Sequence, residues 1–208
     1  AQFGTTAIAH TAQDRVQQCL YYNARNVAEI VQDLFVTYAG MASTTVPLYD
    51  WLFETETYLQ KLYTRLIAEP TGVNKLITEL IQQAGLIIWW DNLNEQIRLQ
   101  VLRGIDTSTF EYNEENIIAD SIQVNEQPSK LVTEVWVYYG VRNPVKPLDQ
   151  TTNYRSSIVV PNLEAATLNG LPIIKKIYGT WIPAFARDTA TRVSNLQLGR
   201  YVTPPRKV

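Results

Sequence analysis

Reactive side chains are few in this chain of 208 residues, and they are scattered. His10 is its single histidine and Cys19 its single cysteine. Nucleophilic catalysis with an imidazole base needs a formed pocket and a partner that orients the ring. His10 instead stands in a polar stretch, Thr5 to Gln18, within residues 1–22, which read as an arm or linker. One cysteine cannot close a disulfide within the chain, and with one histidine there is no Cys/His set to hold zinc. The nine glycines are dispersed, without a phosphate-cradling loop or dinucleotide fingerprint, so no cofactor is expected. Paired carboxylates are the remaining catalytic option, because glycoside hydrolysis requires two acids at a suitable separation. Glu54/Glu56 and Glu114/Glu115 are the candidates by composition, and both lie in polar connecting stretches. Asp91 reads as a turn residue whose carboxylate satisfies its own backbone.

The other chemistry on offer is aromatic, from twelve Tyr and five Trp. Such rings fill cores and subunit interfaces, or they form platforms for sugars. Trp89 and Trp90 are consecutive on one strand and must face opposite ways, so they cannot share a platform. Trp136 and Tyr138 point the same way and can. The core or interface reading is the favoured one.

The elements that would position these residues follow from periodicity. Asn26 with Glu29 three residues later starts a helix whose apolar stripe is Val27, Ile30, Val31, Leu34, Phe35 and Tyr38, stopped by Gly40. A second helix carries Val73, Leu76, Ile77, Leu80, Ile81 and Ala84, with Thr71 as cap and Gly85 as stop. Between them, Tyr49 to Tyr58 suits a short helix and Leu62 to Ala68 a strand. Leu86 to Trp90 is a continuous apolar run, and Gln96 to Leu102 alternates; the two make a hairpin whose first strand is central, with Trp89 in the core, and whose second is nearer an edge. Residues 23–104 are thus expected to form a small α/β domain, two helices on a short sheet with a hairpin.

Residues 105–116 are acidic and polar, including Glu111, and read as a linker. Beyond it, Leu131 to Tyr139 is apolar on both faces, as in a strand covered on both sides. Further strands are expected at Tyr154 to Val160 and Ile173 to Tyr178, and a helix from about Ala184 to Tyr201, stopped by Pro204-Pro205. Residues 117–208 are therefore read as a β-barrel-like domain closed by a C-terminal helix, and the fold class as α+β. The net charge of -2 and the scattered Lys and Arg argue against a nucleic-acid partner. No apolar run approaches the ~20 residues of a membrane span. No signal peptide is visible at Ala1 to Gly4, and Pro204 to Val208 stops on what reads as the start of a strand, so a segment of a longer chain is expected.

In this order and spacing, four stretches resemble the central tail hub, or baseplate hub, family of long-tailed phages and prophages. They are Ala28-Glu29-Ile30-Val31-Gln32-Asp33-Leu34 leading into Tyr38-Ala39-Gly40; Leu76 to Leu102 with Ile88-Trp89-Trp90-Asp91; Val135-Trp136-Val137-Tyr138-Tyr139-Gly140 followed by Arg142-Asn143-Pro144 and Asn153-Tyr154; and Ile174-Lys175-Lys176-Ile177 to Trp181-Ile182, ending in Arg200-Tyr201 and Pro204-Pro205-Arg206. The resemblance implies a structural virion protein and no enzyme: a trimeric ring, assembled in the bacterial cytoplasm, that joins the tail tube to the tail tip or spike. It also implies tube-type barrel domains, here with a closing strand expected beyond Val208. Trp136, Tyr138, Trp181 and Arg200 are the expected interface contacts, since interface anchors are typically aromatics and Arg. A carbohydrate- or receptor-binding module and a glycosidase remain the alternatives.

Overall fold

A computed structural model describes residues 18–103, 125–203 and 206–207. His10, Glu111, Glu114/Glu115, the 105–116 stretch and the Pro204-Pro205 stop lie outside the described residues. The architecture is α+β.

The first strand, β1 (Leu20–Asn26), was not anticipated as an element, because a bulge between Tyr22 and Arg25 breaks its alternation. At the bulge Ala24 takes φ +47°, and its N–H donates to Thr64 Oγ1 at 2.9 Å. Asn26 then caps α1 (Val27–Asp33): its Oδ1 accepts from Ala28 N–H and from the Thr55 hydroxyl, each at 2.9 Å. Val27, Ile30, Val31 and Leu34 are buried as the stripe requires, but Tyr38 is exposed. The helix widens into a π-helical turn over Leu34–Tyr38, which carries its last residues out of phase with the stripe.

Helix α2 (Leu48–Tyr58) hangs on the hairpin through Trp51, whose Nε1 donates to Ile97 O at 3.1 Å. Strand β2 (Leu62–Ile67) pairs antiparallel with β1. Helix α3 (Val73–Ala84) buries Leu76, Ile77, Leu80 and Ala84 and ends on Gly85 in the left-handed conformation, φ +65°. A side chain there would also meet Leu196 Cδ1 at 2.5 Å. The expected Thr71 cap is not formed; Gly72 holds that position and the Thr71 hydroxyl donates to Glu69 O.

Strands β3 (Leu86–Asp91) and β4 (Gln96–Val101) form the expected hairpin, among the described residues a sheet of two strands. The expectation that β3 is the central, fully buried strand is corrected. Ile97, Leu99 and Val101 of β4 are buried against α2 and its neighbours, whereas Trp89 is 44% and Trp90 47% exposed. With no third strand beside it among the described residues, an apolar run stays half in solvent.

After the two-residue strand β5 (Asn125–Glu126), β6 (Glu134–Val141) lies at the centre of a three-stranded sheet. It pairs antiparallel with β7 (Tyr154–Pro161) and parallel with β8 (Ile174–Gly179). Between β7 and β8 the short helix α4 (Leu163–Asn169) was not anticipated, although Asn162, which accepts from Ala165 N–H, and Gly170 mark its ends. Helix α5 (Arg187–Tyr201) covers one face of the sheet, packing Ala190, Val193 and Leu198 on Val135, Val137 and Tyr139. A last short strand, β9 (Arg206–Lys207), pairs with β5. Among the described residues the sheets have two or three strands, and none closes into a barrel.

Two cores result, and Trp181 is one of the residues that link them. Trp181, just after β8, is buried in the first core with Tyr22, Val27 and Tyr63. Thr64 N–H donates to Trp181 O at 3.0 Å, and Trp181 N–H donates to Gln83 Oε1 at 2.9 Å. Arg192 of α5 meanwhile donates to Ala84 O at the C-terminus of α3, where a cation opposes the helix dipole favourably.

Candidate functional site

Aromatic side chains gather on the face of the three-stranded sheet turned away from α5, half-buried at Trp136, Tyr138 and Tyr178, with Tyr154 buried beside them. Alternation on β6 sends Val135, Val137 and Tyr139 to the core and Glu134, Trp136 and Tyr138 outward. Register adds the cross-strand neighbours: Val159 and Ser157 from β7, Lys176 and Tyr178 from β8.

These residues support one another. Trp136 Nε1 donates to the Glu134 carboxylate at 2.6 Å, and Lys176 Nζ lies 5.8 Å from the Trp136 ring centre. Tyr138 is 6.4 Å from Trp136 and stacks on Tyr178 at 5.9 Å, with 22° between the planes. Tyr154 completes the group, 5.8 Å from Tyr178, and its hydroxyl donates to Leu148 O at 2.6 Å. Beside it the chain bends at Gly140, φ +71°, where a Cβ would fall 2.6 Å from Ala184 Cβ. Burial, then the neighbouring Tyr178 phenol, pushes the Tyr138 pKa up; burial does the same for Tyr154. Both hydroxyls therefore stay protonated donors throughout the neutral range.

Of the four expected contact residues, Trp136 and Tyr138 share this face, each half-buried. Arg200 is exposed near the end of α5, its guanidinium 5.8 Å from the Tyr201 ring, in a groove beside β8. Trp181 is corrected: with no exposed surface it is a core residue of this chain and offers nothing to a partner. Lys176 and Tyr178 of β8 and Tyr154 of β7 were missed; the spacing of two residues on β8 was visible, but which strand each lies beside depends on a register that the sequence does not state.

Of the catalytic candidates, the described pair, Glu54 and Glu56, does not converge. Glu54 accepts from Val101 N–H and pairs with Arg103, while Glu56, two residues along the same helix, is exposed on another side. Among the described residues no group of three or more His, Cys, Asp or Glu is placed to hold a metal ion. Asp91 behaves as the turn residue expected: Oδ1 accepts from Leu93 and Asn94 N–H at 3.0 and 3.2 Å, and Oδ2 from the Asn94 amide and Arg98. The Asn94 and Arg98 bonds hold its pKa down at about 2.

No helix among the described residues is long and apolar enough to cross a membrane. Fold and site together define an α+β chain with one sheet face committed to its own helix and the other presenting aromatic rings. No protein-family model matches the sequence, and no curated protein matches it.

Proposed function

We propose that this chain is a non-enzymatic structural component of a long-tailed phage or prophage tail hub, part of a homotrimeric ring joining the tail tube to the tip or spike. The observation that carries the reading is the one-sided sheet: Trp136, Tyr138 and Tyr178 stand together, half-buried, on the face that α5 leaves uncovered, Tyr138 stacked on Tyr178 and tilted against Trp136. Aromatics set in a rigid sheet suit a permanent contact better than chemistry, since they offer large area at little entropy cost. The ordered likeness of the four sequence stretches to the hub family supports the same conclusion.

In this reading residues 23–104 are the α/β domain that braces neighbours, and residues 117–208 contribute to a tube-type barrel. The sheet β7-β6-β8 would be one sector of its wall, with the remaining strands supplied in the assembled ring. Gold-labelled antibody raised against the chain should mark the distal tip of tails in particles released by the cells that carry its gene. Label along the whole tail, on the head, or on no particle would overturn the proposal.

The pairing of Trp136 with Tyr138 also favours a second reading, a carbohydrate- or receptor-binding module of a phage tail, because neighbouring rings on an open face can stack on sugar rings. A glycan array separates the two. Saturable binding of a defined glycan that is lost in Trp136→Ala would favour the binding module.

A further inference from the structure

Strand β8 is an edge of its sheet. Ile173 O accepts from the N–H groups of Thr133 and Glu134, at 2.9 and 3.1 Å, so position 173 faces β6. With a period of two, the N–H and C=O groups of Ile174, Lys176 and Tyr178 turn away from β6. Tyr178 O confirms the direction, since it accepts from the Gln83 amide of α3 at 3.3 Å as well as from Thr180 N–H. Among the described residues no strand pairs with this outer edge.

A groove of about 820 Å³ follows it. Four consecutive residues, Lys175 to Tyr178, line the groove, so it runs along the edge of β8 and not over one face. Its opposite walls are α3 and α5, with Ile81, Leu86, Leu102 and Leu196 as apolar lining. Lys75, Lys175, Lys176 and Arg200 supply its positive charge. Of the two lining carboxylates, Glu79 is neutralised by Arg65 and Asp149 has no cation partner among the described residues. Four cations thus face one uncompensated acid, on a chain whose net charge is -2. Lys175 is held in place, bonded to Gln197 Oε1 at 2.6 Å and resting 4.8 Å from the Tyr201 ring.

We propose that this groove binds an extended acidic segment of a partner protein, which adds to β8 as a fourth strand. The outward N–H and C=O groups of 174 and 176, with the N–H of 178, would pair with its main chain, while its carboxylates meet Lys75, Lys175, Lys176 and Arg200. A strand edge alternates donors and acceptors, which matches a peptide; a nucleic-acid backbone brings acceptors alone and leaves the carbonyls unanswered. Lysines on an open edge ordinarily repel unwanted strands. Here the same charges admit an acidic strand and reject a basic or neutral one. The proposal stands apart from the tail-hub reading, and either can fail without the other.

The test uses the full chain and a fluorescein-labelled peptide of alternating Glu and Val, about twelve residues long, enough to span the edge. Fluorescence anisotropy at low salt should show saturable binding, with slower amide exchange at Ile174, Lys176 and Tyr178. A Lys-Val peptide should not bind. Ile174→Pro deletes an outward N–H, a position where an edge strand tolerates proline, and keeps every charge. It should weaken binding about tenfold, as should Lys176→Gln, which keeps the N–H and removes a charge. Circular dichroism and melting check that both variants fold, and Lys176→Gln carries the test if Ile174→Pro does not. Four results would overturn the proposal: no saturable binding, meaning that the lysines only guard the edge; equal binding of the Lys-Val peptide; equal or tighter binding of a thymidine oligonucleotide; or unchanged affinity in both folded variants.

Discussion

Strands β3 and β6 are built from nearly the same material and live in different surroundings. Leu86-Ile87-Ile88-Trp89-Trp90 is as apolar as Val135-Trp136-Val137-Tyr138-Tyr139. Yet among the described residues β3 has one neighbouring strand and leaves Ile87, Trp89 and Trp90 more than two-fifths exposed, whereas β6 has two and a helix beneath it that seals Val135 and Val137 completely. What decides burial is therefore the number of elements that reach a strand, which the strand's own residues do not encode.

The contrast is sharpest among the tryptophans. Trp181→Ala should destabilise the chain by ~3–5 kcal/mol, read from chemical unfolding, because it empties a fully enclosed site in the first core. A loss under about 1 kcal/mol would mean that Trp181 does not link the two cores. Gly140→Ala should come next, at about 2–3 kcal/mol, since a side chain must adopt a left-handed conformation and displace Ala184 at the end of β6. Unchanged melting would show that the bend beside the aromatic face relaxes freely.

Trp89→Ala, in contrast, should cost no more than about 1 kcal/mol, as expected for a ring that is already half in solvent. A cost near that of Trp181→Ala would restore β3 to a covered position and erase the contrast. Smaller still is Tyr63→Phe. The Tyr63 hydroxyl is buried without a hydrogen-bond partner among the described residues, and burial pushes its pKa up, so its removal should leave stability unchanged or raise it by up to about 1 kcal/mol. A clear loss in thermal melting would reveal a bond made by that hydroxyl.

The smallest effect is on the open hairpin itself. Asp91 has a folded pKa lowered to about 2, so its support for the β3–β4 turn is complete above the ordinary carboxylate range and lost as the pH falls through about 2. NMR titration of the Asp91 carboxyl should show this acid shift, and Asp91→Asn should remove the matching pH dependence of the turn. A midpoint near 4 would mean that the bonds from Asn94 and Arg98 are not held in solution.

Local signals were legible where the chain answers to itself. Asn26 as cap, Gly85 as stop, the stripe of α3 and the Asp91 turn all follow from neighbours within a few residues, and each is present. The signals for α4, Asn162 and Gly170, were equally local and were overlooked. Exposure on β3, the position of Trp181 and the gathering of Tyr154, Tyr178 and Lys176 beside Trp136 and Tyr138 depend on contacts made far along the chain. Half of the aromatic face was therefore readable, as the same-side pair on β6; the other half came with the register of β7 and β8.

Trp181 also gives the molecule the construction of a peg in a socket. It projects from the second half into the core of the first, its ring beside Tyr22 and the Arg65 guanidinium, and Gln83 and Thr64 latch its backbone on either side. Two polypeptides, one carrying the socket and one the peg, should then recognise each other when mixed, and the tryptophan fluorescence of the second should shift to the blue as the ring leaves water. Such reconstitution would be blocked by Trp181→Ala in the peg fragment, so the two halves would be separable in covalent terms while remaining a single unit in unfolding.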